Sequence, residues 1–262
     1  MKLLSAVIIS LNEEANIGRC IDSLWQVADE VIVLDSFSTD RTVEIAKSKG
    51  AIVAQQNFAG YKEQKNLVLK LASHDYVISL DADECLSREL ICSILKAKKE
   101  YKFNAYSMNR YNYYCGKFIK QGLWYPDRKI RLFNKRIARW GGMNPHDKIE
   151  LRPNERIQFL KGDILHFTFN TFEEHLERNE RMSSIAACSI YESGLKKSWS
   201  KIILSPAWSF FNGYFLRLGF LDGYRGFLIA WETAHLSFLK YQKLHQLQKQ
   251  NKASVSVLIK IN

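Results

Sequence analysis

Proline is scarce in this chain, with four among 262 residues, and no low-complexity tract or internal repeat is present. A disordered or modular linker protein is therefore excluded, because such chains live on proline-rich, glycine-rich or repetitive polar tracts. The five cysteines, Cys20, Cys85, Cys92, Cys115 and Cys188, are scattered, odd in number and free of Cys-x-x-Cys spacing. They read as reduced thiols, which fits a cytoplasmic setting. There is no Gly-x-Gly-x-x-Gly and no Walker lysine loop, so neither the usual dinucleotide fold nor a P-loop enzyme is indicated. The start, Met1-Lys2-Leu3-Leu4, has the look of a signal peptide but breaks at Asn12-Glu13-Glu14 without a small-residue cleavage site, so secretion is not expected. The longest uncharged stretch, residues 202–216, is interrupted by Pro206 and Gly213 and is too short to span a bilayer.

Acidic residues are also missing from one region: between Lys102 and Arg139 ten residues are Lys or Arg and only Asp127 is acidic. With a formal net charge of +11, the chain calls for an anionic partner such as a phosphorylated substrate, an acidic membrane surface or nucleic acid. A hydrophobic content of 47% is ample for a core.

Strands alternate with helices through the first hundred residues. Residues 3–11 are β-rich and apolar, followed by helically spaced Ile17, Cys20, Ile21, Leu24 and Trp25. Residues 31–34 form a second buried strand, with Asp40 placed to cap a helix that Gly50 stops. A short strand at 51–54, a helix at 60–72 and a strand at 76–80 follow, and Ser87 caps a helix burying Leu90, Ile91, Ile94 and Leu95. This alternation predicts an α/β fold with a parallel, doubly wound sheet. Asn12–Glu14, Asp35–Asp40 and Asp81–Glu84 then follow strands on one rim, where open α/β sheets bind ligands. The run Tyr76-Val-Ile-Ser-Leu-Asp-Ala-Asp-Glu84 ends in three carboxylates within four residues. Carboxylates this close repel unless a cation lies among them, and oxygen ligands favour Mg2+ or Mn2+.

Three motifs, Val7-Ile8-Ile9-Ser10-Leu11-Asn12-Glu13-Glu14, Val33-Leu34-Asp35-Ser36-Phe37-Ser38-Thr39-Asp40 and Leu80-Asp81-Ala82-Asp83-Glu84, stand in this order. Together they resemble the family 2 glycosyltransferases of the GT-A fold. Arg131-Leu132-Phe133, Gly141-Gly142, His146-Asp147 and Gly162-Asp163-Ile164-Leu165-His166 extend the resemblance to the bacterial lipopolysaccharide-core glucosyltransferase branch, over the chain to about Leu244.

The resemblance implies an inverting, metal-dependent transfer of a hexose, glucose being one candidate, from a nucleotide-sugar, with UDP the expected nucleotide. The acceptor would be a lipopolysaccharide-core or other lipid-linked glycan. Asn12, Glu14 and Asp35 would hold base and ribose, Lys65 would lie near base or phosphates, Asp81 near the ribose, and Asp83 would bind Mg2+ or Mn2+. Asp147 stands where the similar enzymes carry a glutamate as general base, one methylene shorter here; its alternative is to pair with Lys148 or Arg152. His166 is a candidate metal ligand or phosphate donor, or a structural strand-end histidine. Arg128, Arg131, Trp124 and His146 are candidate acceptor or phosphate contacts, since aromatic rings stack on sugars and guanidinium groups hold phosphate.

Residues 1–170 are expected to form the catalytic domain, with 1–100 binding the nucleotide-sugar and 101–170 forming the acceptor and catalytic half. A helical extension at 171–245 follows, opened by the capping-box pattern at Thr171 and Glu174. Within it, residues 202–239 are aromatic and punctuated by glycine, and either lie in a membrane interface beside Lys196, Lys197 and Lys201 or pack against the catalytic domain or a second copy. Residues 246–262 read as a polar, frayed tail. The expected setting is the inner face of the cytoplasmic membrane, peripherally bound, with a homodimer allowed and no nucleic acid as ligand. Competing readings are a metal-dependent nucleotidyltransferase, which would need a glycine-rich basic loop where Asn12-Glu13-Glu14 stands, and a non-catalytic RNA- or membrane-binding protein.

Overall fold

The structure, a computed structural model, describes residues 2–143, 146–194 and 199–261, with side chains described except at 143, 146 and 250–261. The chain divides into two compact units: Met1–Tyr113 with Tyr125–Thr168, and Tyr114–Trp124 with Phe169–Asn262.

The first unit begins β1 (Leu4–Ser10), α1 (Ile17–Leu24), β2 (Glu30–Asp35), α2 (Thr42–Ser48), β3 (Ile52–Gln55), α3 (Tyr61–Leu71) and β4 (Tyr76–Asp81). β1 pairs in parallel with β2 on one side and β4 on the other, and β3 adds to β2, also parallel. The register sets Ser10 beside Asp35 and Ile9 beside Asp81, so the three polar clusters do share one rim. The order β3-β2-β1-β4 reverses direction of growth at β1, which makes the β1/β4 crevice the topological switch point.

The chain continues through β5 (Glu84–Leu86), α4 (Arg88–Lys98), β6 (Ala105–Tyr114), β7 (Lys117–Phe118), β8 (Asp127–Asn134), β9 (Ala138–Met143), β10 (His146–Leu151) and β11 (Ile157–Phe169). The sheet runs on from β4 as β8-β6-β11-β5, with β8 antiparallel to β4 and β6, and β5 antiparallel to β11. β9 and β10 form a separate antiparallel pair.

Alternation along β1 splits the core. Leu4, Ala6 and Ile8 pack with Ile17, Cys20, Ile21 and Leu24 of α1 and Leu90, Ile91 and Ile94 of α4. Val7 faces the other way, with Ile32, Leu34, Val68, Leu69, Phe133 and Trp140. Each fully buried aliphatic side chain contributes about 1.5–3 kcal/mol, which holds the rim loops on a rigid base. Ser87 caps α4 through the Leu90 amide. Asp40, expected to cap α2, stands one residue before the N-cap, which is Arg41 and carries no side-chain cap; the Asp40 Oδ1 instead accepts from the Thr42 amide at 3.0 Å.

The second unit is helical: α5 (Phe172–Glu192), α6 (Lys201–Phe211), a π turn (Asn212–Leu216), a 3-10 turn (Gly219–Asp222) and α7 (Tyr224–Ile261). Thr171 caps α5 by accepting from the Glu174 amide, as the capping pattern predicted, while the Glu174 carboxylate accepts from the Asn170 amide, one residue before the N-cap. Tyr114, Ile119, Phe169 and Ile229 form its core. Tyr114–Trp124 therefore groups with the helices, whereas the sequence reading placed it with the acceptor half. The α7 backbone is helical to Ile261.

Candidate active site

The loops after β1 and β2 are stitched together by the residues expected to hold a base and ribose. The Asn12 amide donates to Ser38 Oγ and its side-chain oxygen accepts from the Thr39 amide, both at 2.8 Å. A positive φ of 53° at Asn12, a conformation asparagine tolerates better than most residues, makes this reach possible. The Glu14 amide donates to Asp40 at 3.0 Å, and the Glu14 carboxylate accepts from the Arg41 amide at 3.1 Å. Asp35 is fully buried and accepts from Ser10 Oγ, the Ser38 amide and hydroxyl, and Gln55 Nε2. The three residues thus shape the rim.

The end of β4 carries the densest charge. Lys65, on α3 and 4% exposed, places its ammonium 2.9 Å from Asp81 Oδ1 and 2.9 Å from Asp147 Oδ2 on β10. Arg131 on β8, also 4% exposed, meets the other Asp81 oxygen at 3.0 Å and Glu84 Oε1 at 2.9 Å. Burial alone would raise the Asp81 pKa, but Lys65 and Arg131 outweigh it and hold the carboxyl well below the usual range. For Arg131 burial disfavours the charge, yet Glu84, Asp81 and Asp147 push its pKa above the ordinary value. The Trp140 ring lies 4.4 Å from the Lys65 ammonium and 5.4 Å from the Arg131 guanidinium, a cation–π floor for both. Arg131 Nε and Nη1 are buried without a hydrogen-bond partner, and such groups invite an acceptor from outside the chain.

Asp83 faces a different group. Its Oδ2 lies 3.1 Å from His166 Nε2, and His166 Nδ1 lies 2.6 Å from Asn112 Oδ1 and 3.0 Å from Thr168 Oγ1. In the neutral ring with Nδ1 donating to Asn112 Oδ1, Nε2 turns its lone pair toward the Asp83 carboxylate oxygen. Two acceptors so arranged want a cation between them, and a carboxylate with an imidazole whose far nitrogen is anchored is a fitting donor pair for a divalent metal. Among the described residues no three His, Cys, Asp or Glu side chains form a ready metal cage, so the remaining ligands would have to come from substrate or water.

The other predicted contacts disperse. Arg128 is exposed, its guanidinium 4.6 Å from the Phe159 ring. Trp124 belongs to the second unit, where its indole packs on Tyr114, Phe169 and His175. The side chain of His146 lies outside the described residues. Glu84, part of the acidic run, is 1% exposed and is consumed by Arg131 and Arg110. The sequence reading missed Asn112, the anchor of His166, and the roles of Arg110 and Trp140. Arg110 and Asn112 are two apart on β6 and so share a face, the one signal that pointed to a common role.

The site is thus a set of strand-end carboxylates held by Lys65 and Arg131, with Asp83, just after the same strand, paired to His166. The family model described as glycosyl transferase family 2 matches residues 5–172, and the chain belongs to that family. It is 33% identical over 267 residues to an uncharacterized glycosyltransferase of Rickettsia typhi, spanning 96% of this chain and 90% of the relative. It is 31% identical over 252 residues to the lipopolysaccharide core biosynthesis glycosyltransferase LpsC of Rhizobium meliloti, spanning 93% and 92%. The crystal structure of glucosyl-3-phosphoglycerate synthase from Mycobacterium tuberculosis with Mn2+ and uridine diphosphate is 27% identical, covering 43% of this chain and 44% of that one at a TM-score of 0.36, a likeness too partial to carry a ligand across. The chain is a glycosyltransferase, which sets aside the nucleotidyltransferase and the non-catalytic readings.

Proposed function

We propose that this glycosyltransferase inverts configuration while moving a hexose from a UDP-linked donor to a lipid-linked glycan, with a lipopolysaccharide core as the favoured acceptor. The observation that carries the reading is Lys65, whose ammonium joins Asp81 at the end of β4 to Asp147 on β10. One cation thereby links the carboxylate expected beside the donor ribose to the carboxylate expected to activate the acceptor.

In this reading Asn12, Glu14 and Asp35 frame the nucleotide pocket, and Asp81 accepts from ribose hydroxyls. Asp83 and His166 hold a divalent metal, Mg2+ or Mn2+, which when bound supplies positive charge to the leaving diphosphate. Arg131, with two unpartnered N–H-bearing nitrogens, offers donors to a donor or acceptor phosphate. Asp147 takes the proton of the acceptor hydroxyl as that oxygen attacks the anomeric carbon opposite the diphosphate, an oxocarbenium-like displacement that inverts the centre. Lys65, its ammonium against the Trp140 ring, fixes the orientation of this base.

The lipopolysaccharide acceptor is supported by the likeness to the lipopolysaccharide core biosynthesis glycosyltransferase LpsC of Rhizobium meliloti. A lipid-linked acceptor would be met at the bilayer surface, and the proposed setting is the cytoplasmic face; no helix among the described residues is long and apolar enough to cross a membrane. The test is transfer from radiolabelled UDP-hexoses to delipidated and intact lipopolysaccharide precursors. Asp147→Asn is expected to lower turnover by about 10²–10⁴-fold with donor binding retained. Full turnover in Asp147→Asn would remove it as the base.

A further inference from the structure

The second unit turns an apolar surface outward. α6 buries none of its residues. Ile203, Leu204 and Trp208 are 64%, 63% and 61% exposed, and Phe211, Phe215 and Leu216 continue the surface through the π turn. Leu204, Trp208 and Phe211 recur at helical spacing, so they form one stripe. A soluble helix turns such a stripe to the core; this one presents it to solvent.

The charges around the stripe are of one sign. From 199 to 231 the charged residues are Lys201, Arg217, Asp222 and Arg225. Lys201 and Arg217 are exposed. Asp222 is 7% exposed and its carboxylate is spent on the Lys120 and Gln121 amides, while Arg225 donates to the Cys115 carbonyl at 2.8 Å. What solvent meets is tryptophan, phenylalanine and leucine with a basic rim. That combination matches the interfacial zone of an anionic bilayer, where amphipathic rings sit at headgroup depth and Lys or Arg meet lipid phosphate. Eleven residues of α6 give a rise of about 16 Å, roughly half of a hydrocarbon core, so the element can lie in the interface and not cross it. A two-fold pairing of two copies through this face would set basic residues of one copy near those of the other, whereas anionic headgroups neutralise them.

We propose that residues 203–221 insert into the interfacial region of an anionic membrane, with Trp208 and Phe211 as anchors and Lys201 and Arg217 as the headgroup contacts. The inference deepens the reading of a lipid-linked acceptor, and its test requires no transfer activity. The full chain is floated with phosphatidylcholine vesicles, with and without added phosphatidylglycerol, while intrinsic tryptophan fluorescence reports insertion. Flotation with the anionic vesicles and a blue-shifted emission are expected. Trp208→Glu/Phe211→Glu should abolish both, and Lys201→Glu/Arg217→Glu should weaken binding at least 25-fold, from roughly fivefold per basic residue. All four positions are exposed, so circular dichroism and the thermal midpoint should be unchanged, and nucleotide-induced stabilisation of the variants should persist even if the membrane proposal fails. A folded wild-type protein that stays unbound with both vesicle types overturns the proposal. So does a dimer in light scattering that Trp208→Glu/Phe211→Glu converts to a monomer, which would assign the face to a second copy.

Discussion

Lys65 is the residue on which most of the site's charge arrangement depends. It is buried between two carboxylates, and breaking a buried pair leaves the partner charges uncompensated at a cost of about 3–5 kcal/mol. Lys65→Met is therefore expected to lower stability in urea unfolding by that order and to disorder the Asp81 and Asp147 carboxylates. The Asp81 pKa is depressed in the folded state, so its ionised form contributes stability that is present above the unfolded value of 3.8 and is lost as pH falls through the lower folded value. His175 in the second unit gives a separate pH signal. Burial, and to a lesser degree Arg178, lowers its pKa from 6.5 to about 4, and its Nδ1 lies 3.1 Å from the Tyr114 hydroxyl. A histidine kept neutral in the fold contributes full stability above pH 6.5 and loses it as pH falls toward 4, up to about 3 kcal/mol. Unfolding free energies measured across that window should fall in the wild type and stay flatter in His175→Gln; equal slopes would show that His175 is not the titrating group. Asp35 and Asp83 were legible as acidic residues at strand ends, but the sequence could not tell them apart. The fold does: one is saturated by hydroxyl and amide donors, the other confronts an imidazole.

Among the elements, the parallel half of the sheet was legible and the antiparallel half was not. β1, β2 and β4 are continuous apolar runs because both faces are covered, and such runs, separated by helical spacing, declare themselves in sequence. β6, β8 and β11 mix aromatic, basic and apolar residues, and their pairing connects positions far apart in the chain, so no local period announced that Asn112 would anchor His166 or that Arg131 would reach Asp81. In the second unit the helices depend on close approach at glycine. A Cβ on Gly226 of α7 would lie 1.8 Å from the Gly219 carbonyl oxygen, which neither backbone can accommodate without moving. Gly226→Ala should therefore cost about 1–3 kcal/mol, read as a lowered thermal midpoint, and an unshifted midpoint would mean the crossing is looser than the structure has it.

At the scale of the molecule, the two units divide the labour of the proposed reaction. The first supplies a rim of strand ends with a donor-side cluster, a base and a histidine–aspartate pair; the second supplies an aromatic, basic-edged surface suited to a bilayer. The net charge of +11 was read from sequence as a demand for an anionic partner; in the proposed function that demand falls on phosphate at Arg131, and in the proposed membrane docking on headgroups at Lys201 and Arg217. The central claim is that Asp83 and His166 make donor binding metal-dependent. The most direct measurement is a thermal-shift panel of UDP, GDP, CMP and their sugars, with and without Mn2+, on the wild type, Asp83→Asn and His166→Ala. Stabilisation by uridine nucleotides only with Mn2+ is expected, about 2.7 kcal/mol at 100 times the dissociation constant, and it should be lost in both variants. Stabilisation that persists in both, or a folded wild type that no nucleotide stabilises, would contradict it.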